Sequence, residues 1–198
     1  MKYLKMFGLA VVATAGLMAF VGAGTASATV VCASTLTPCG VEAPAVRATL
    51  IGSMTLENGS TVLTTCTESK LKWKIEAQGA NQSASGKVEE LVWGSCTRTT
   101  NTVKLGKLTL HQITGTENGT LTAQETEITI NGIFGSSCTY GAGTGIDLGL
   151  FEAGVPANIV IDGKLIKTAG GFTCPLEATM TALYSVTEPA PAAYIEPS

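Results

Sequence analysis

The sequence predicts an all-β protein: an antiparallel β-sandwich, with a partly closed β-barrel as the alternative, stabilised by disulfides. Three observations predict it. First, Leu176, Ala178, Met180, Ala182, Tyr184 and Val186 alternate with Glu177, Thr179, Thr181, Leu183, Ser185 and Thr187, the period of two expected of a half-buried strand. Second, Thr and Gly are abundant, which suits strands and turns, and no convincing amphipathic helix follows residue 28. Third, all six cysteines lie beyond residue 28, an even number in a chain that carries an export signal.

That signal is Met1 to Ala28. Lys2 and Lys5 form a positive front, Met6 to Val21 is apolar and uncharged, and Ala26-Ser27-Ala28 offers the small residues a signal peptidase accepts. Cleavage after Ala28 is expected. The apolar run is shorter than the roughly 20 residues of a membrane span. Thr29-Val30-Val31 before Cys32 lacks the small residue of a lipid-attachment site. The expected product is secreted or cell-wall associated, with no transmembrane segment in the mature form. Residues 29–187 read as one domain and 188–198, with Pro189, Pro191 and Pro197, as a flexible tail. The mature part carries 10 basic residues against 15 acidic ones, a net charge of −5. That balance gives no electrostatic reason to bind nucleic acid.

The expected disulfides are Cys32–Cys39, Cys66–Cys96 and Cys138–Cys174, chosen from fifteen pairings because sequence neighbours meet most easily. A zinc site is disfavoured by a single histidine and the lack of a Cys-x-x-Cys pair.

The elements follow in order. Ala48 to Leu56 and Thr61 to Thr67 flank the turn Glu57-Asn58-Gly59-Ser60. Lys70 to Ile75 alternates, with Leu71, Trp73 and Ile75 on one side and Lys70, Lys72 and Lys74 on the other. Cys66 shares the parity of the lysines, so either a bulge intervenes or its disulfide is external. Gln78 to Gly86 is a loop and Lys87 to Trp93 a strand. Thr102 to Ile113 is a strand pair or a bulged strand whose phase slips at Gly106-Lys107. Glu117 to Thr120 is a turn, Thr122 to Ile130 a strand, and Asn131-Gly132 another turn. Cys138 to Leu150 is a glycine-rich connection. Ala157 to Ile161 and Lys164 to Lys167 make a hairpin about Asp162-Gly163, before the strand of Leu176 to Thr187.

No catalytic motif assembles locally. The three lysines of Lys70 to Lys74 suit an anionic polymer, but on an acidic chain they read better as a solvated face that discourages edge pairing. Trp73 and Trp93 could stack a sugar ring, although core packing is the stronger reading, above all for Trp73 beside Leu71 and Ile75. His111 has no nucleophile or orienting carboxylate near it in sequence. Glu125 and Glu127 point the same way along a strand, which is not the opposed pair that glycoside hydrolysis needs. Gly141, Gly143 and Gly145 do not fit a dinucleotide fingerprint, and Asp147 does not sit in a calcium loop. No catalytic residue, cofactor or metal is therefore assigned.

Cys138-Thr139-Tyr140-Gly141-Ala142-Gly143-Thr144-Gly145-Ile146-Asp147-Leu148-Gly149, then Gly171-Phe172-Thr173-Cys174-Pro175 and Tyr184-Ser185-Val186-Thr187, resemble a group of uncharacterised exported proteins of soil actinobacteria. The resemblance covers most of the chain. It implies export, the cysteine framework and an all-β fold, and it implies no activity or catalytic residue.

The functional expectation is an exported, non-catalytic module for binding, adhesion or envelope association, with a cell-wall or environmental glycan as the candidate partner. The rival is a secreted hydrolase of glycans using carboxylates from separate strands, Glu89 or Glu90 with Glu125, Glu127 or Asp147. A third reading is a barrel that encloses an apolar ligand, which requires the inward faces to leave a cavity.

Overall fold

The computed structural model describes residues 29–33, 42–79, 82–133, 135–190 and 194–197. The expected signal segment 1–28 and Cys39 lie outside the described residues. Among those described there is no helix, so none long and apolar enough to cross a membrane. The strands are β1 (Thr29–Cys32), β2 (Ala45–Asn58), β3 (Thr61–Ala77), β4 (Ala84–Cys96), β5 (Thr100–Lys104), β6 (Lys107–Gln112), β7 (Gly119–Gln124), β8 (Glu127–Ile133), β9 (Ser136–Gly141), β10 (Ile146–Glu152), β11 (Asn158–Ala169), β12 (Glu177–Glu188) and β13 (Tyr194–Pro197).

The sheet runs β10-β7-β6-β4-β3-β2-β12-β11, every pair antiparallel, and β11 pairs back onto β10. Eight strands thus close into a barrel, and the barrel alternative replaces the two-sheet sandwich. The closure depends on β11, which is long enough to serve two neighbours. Asn158 to Ile161 pair with β10, whereas Ile166 to Ala169 pair with β9. The sheet therefore forks at β11, and β9, β8 and β5 continue as an extension. That extension returns to β4, where Thr102 Oγ1 donates to the Leu91 carbonyl at 2.7 Å and accepts from Trp93 Nε1 at 3.0 Å. No two-sheet seam is needed, because the inward faces pack against one another across the barrel.

Alternation decides those faces. Leu71, Trp73 and Ile75 are buried, while Lys70 and Lys74 are exposed and Lys72 is half-buried. Burying about 200 Å² of the Trp73 indole contributes roughly 5 kcal/mol. On β12, Ala178, Met180, Ala182, Tyr184 and Val186 point inward. Leu176 does not join them. It is exposed before the strand begins, next to the loop that carries the fully exposed Phe172.

Several local expectations change. Ala84 to Gly86, expected in a loop, open β4, and Asn131-Gly132, expected as a turn, lies within β8. Asp162-Gly163 is no hairpin turn but the middle of β11; Gly163 is there because Leu148 of β10 packs over it, with Cδ1 3.0 Å from where a Cβ would sit. The stretch 122–130 is two strands rather than one. It breaks at Glu125, whose φ of 58° turns the chain from the barrel (β7) into the extension (β8). The glycine-rich connection forms β9 and β10. The proline-rich end, expected to be loose, contributes β13, which pairs with β1. Ile195 is buried there, against Leu110 and Gly119 of the barrel wall, and its amide donates to the Glu117 carbonyl.

Cys66 and Cys96 are bonded and sit directly opposite each other in the β3–β4 ladder. Cys138 is bonded to Cys174, tying β9 to the loop before β12. Both pairs are as expected. Cys32 is also held in a disulfide, and its expected partner Cys39 lies outside the described residues.

Candidate functional site

The parity problem at Cys66 has a structural answer that also creates a groove. Cys66 is buried, yet so are Ser69 and Leu71, an odd number of residues away. The phase changes at Thr67 and Glu68, which are both exposed. The cause lies on the neighbouring strand. The β2–β3 ladder is interrupted between Thr49↔Lys70 and Met54↔Cys66, where β2 spends one residue more than β3. Gly52 takes a φ of +73° in that bulge, a conformation that suits glycine. Cys66 is therefore internal, and the wall of the barrel has a gap beside it.

The gap opens to solvent as a groove of about 480 Å³. Its lining mixes hydroxyls (Thr49, Thr67, Ser69), charges (Glu68, Lys70, Glu90) and apolar surface (Leu50, Val92, Trp93). Ser69 and Trp93 are inward-facing partners in the β3–β4 ladder, so the groove reaches into the wall rather than lying on it. Ser69 Oγ shares a 2.9 Å hydrogen bond with Tyr184 Oη. Burial pushes the Tyr184 phenol up to about 12, against a partial opposing effect of that bond. Glu68 accepts a hydrogen bond from Ser95 at 3.0 Å.

The candidates from the sequence are dispersed around this groove and away from it. Trp73 is core, fully buried. Trp93 is half-buried, with its edge on the groove and its Nε1 held by Thr102. Lys70 lines the groove, whereas Lys72 pairs with Glu89. The hydrogen bond from Lys72, helped by the charges of Lys72, Lys74 and Arg47, holds the Glu89 carboxyl below its usual range even against some desolvation. Glu127 pairs with Lys104 at 2.9 Å. Glu125 is in the turn after β7, and Asp147 is exposed on β10. Glu90 reaches the groove, and none of Glu125, Glu127 or Asp147 lines it. The two carboxylates that do share it, Glu68 and Glu90, stand at registers four residues apart along β3, with Lys70 between them. Four residues of strand put their backbones about 13 Å apart along the ladder. His111 Nδ1 bonds Ser83 Oγ at 2.7 Å, a neighbour that sequence spacing did not reveal, but no carboxylate among the described residues orients the ring. No group of three or more metal-ligating side chains occurs among the described residues.

In comparisons with family models, curated proteins and solved structures, nothing matches this chain. The groove must be read from its own chemistry.

Of its lining, the sequence singles out only Lys70, Glu90 and Trp93; Leu50, Glu68 and Ser69 are among those it misses. The signal was present in the conflict of phase between Cys66 and Lys70. The partner half of the signal, the Gly52 bulge, sits on another strand.

Proposed function

We propose that the protein is an exported, non-catalytic binding module that holds a neutral glycan in the groove at the β2–β3 gap. The observation that carries this reading is the mixed lining of that groove. Hydroxyls, carboxylates and an ammonium offer donors and acceptors to a sugar's hydroxyl edge, while Leu50, Val92 and the edge of Trp93 offer apolar surface to its C–H face. The groove carries two carboxylates against one lysine, which disfavours polyanions. The export half of the reading rests on the pattern of residues 1–28 and on disulfides, which persist in oxidising compartments. The non-catalytic half rests on the Ser95 hydrogen bond that engages Glu68 and on the ion pairs that occupy Glu89 and Glu127.

The test is retention of the mature protein on immobilised cellohexaose, xylohexaose and chitohexaose. One of them should retain the wild type, and Leu50→Arg should lose most of that retention. No retention on any of the three, or retention indifferent to Leu50→Arg, refutes the site. Sustained release of reducing ends that Glu90→Gln abolishes refutes the non-catalytic assignment.

A further inference from the structure

Behind the groove, inside the barrel, lies a cavity of about 50 Å³. Its wall is almost wholly apolar, with Leu71, Leu108, Leu121, Leu165 and Met180 among the residues that form it. The wall also includes Tyr140, which is completely buried on β9. Its hydroxyl has no hydrogen-bond partner among the described residues. Buried hydroxyls are nearly always bonded, because leaving one unpaired is costly. An ordered water is a poor partner here, since such waters make about three hydrogen bonds and the other polar groups of this wall are already engaged, Thr126 Oγ1 with the Leu105 carbonyl, Tyr184 Oη with Ser69 and Trp93 Nε1 with Thr102.

We propose that the barrel interior is a second binding site, separate from the glycan groove, for a short aliphatic molecule carrying one hydrogen-bonding oxygen, with Tyr140 Oη as its polar contact. The volume sets the size. At 10–15 Å³ per water-sized sphere, the cavity takes about four such spheres, a ketone or alcohol of no more than about four heavy atoms. The route is set by Trp93, whose side chain lines both the outer groove and the inner cavity. On the other side of the opening, Ser69 lines the groove and Tyr184 lines the cavity, and their hydrogen bond forms the rest of the partition. Because the β2–β3 ladder beside it is unpaired, the indole has room to swing outward once its single hydrogen bond to Thr102 opens.

The experiment is a titration of the mature, oxidised protein with acetone, followed by methyl NMR of Met180 and Leu165. Saturable shifts at both methyls are expected. Tyr140→Phe breaks no bond within the fold and should bind acetone about tenfold more weakly, while isobutane should bind both proteins alike. Ala123→Val, which places a larger side chain on the cavity wall, should abolish the shifts. Trp93→Ala should speed exchange of the bound ketone at least tenfold. The site is overturned if no saturable shift appears at the two methyls, if Tyr140→Phe binds the ketone as tightly as wild type, or if Ala123→Val leaves binding intact. An unchanged exchange rate in Trp93→Ala overturns the route.

Discussion

Tyr140→Phe should make the protein more stable, and the structure sets how much. Tyr140 is fully buried on β9, and its hydroxyl is unpaired among the described residues. Burial alone raises its pKa above the usual tyrosine value, the mark of a hydroxyl surrounded by apolar groups. A buried hydroxyl without a partner costs about 1–3 kcal/mol. Removing the oxygen enlarges the cavity by one atom, some 10–15 Å³, and at about 24 cal/mol per Å³ this costs roughly 0.3 kcal/mol. The net gain is about 1.5 kcal/mol, which for a chain of this size raises the melting midpoint by about 3–6 °C. Urea unfolding of the oxidised protein measures it, with an unchanged slope confirming that the denatured state is unaltered. A variant less stable than wild type by 1 kcal/mol or more would refute the reasoning, since it would mean that the hydroxyl makes a native bond. Retaining a residue that lowers stability fits a group held ready for a ligand.

Three further outcomes are expected. Removing Cys66–Cys96 by the double change to Ala frees a loop of 30 residues' separation, which should cost roughly 3–4 kcal/mol in urea unfolding. Gly86→Ala should cost about 3 kcal/mol or more by the same assay, because the new Cβ would lie 1.9 Å from the Lys74 carbonyl oxygen and force β3 from β4. Stability should also fall at high pH through Tyr184. Its folded-state pKa of about 12 lies above its usual value of 10, so the folded state holds the proton more tightly. The contribution is complete below pH 10 and disappears as pH rises toward 12, a loss of roughly 2–3 kcal/mol. Tyr184→Phe should flatten that part of the profile in unfolding measured from pH 8 to 12.

What the sequence made legible was local. The buried side of Leu71-Trp73-Ile75 and of Ala178 to Val186 follows from alternation within one strand, and alternation needs no knowledge of neighbours. The cysteine pairs Cys66–Cys96 and Cys138–Cys174 follow from proximity in the chain. The rest depended on contacts between distant residues. Asp162-Gly163 carries the composition of a turn, yet Gly163 serves the close approach of Leu148 within a continuous strand. Closure into a barrel turns on β11 pairing with β10 at one end and β9 at the other, a division that no property of residues 158–169 announces. The groove was half legible. The clash of phase between Cys66 and the lysines marked the place on β3, while its cause, the bulge at Gly52, belongs to β2. Tyr140 was hidden in a glycine-rich run that reads as connection and folds as β9.

The central claim is that the gap in the β2–β3 ladder is where the protein binds a glycan, and backbone amide NMR tests it most directly. The mature protein would be titrated with whichever of the three hexasaccharides retains it. The account predicts saturable shifts confined to Thr49-Leu50, Thr67 to Lys70 and Glu90 to Gly94, the residues that line the groove. Shifts centred elsewhere, for example on the exposed loop around Phe172, or no saturable shift with any of the three sugars, would contradict it.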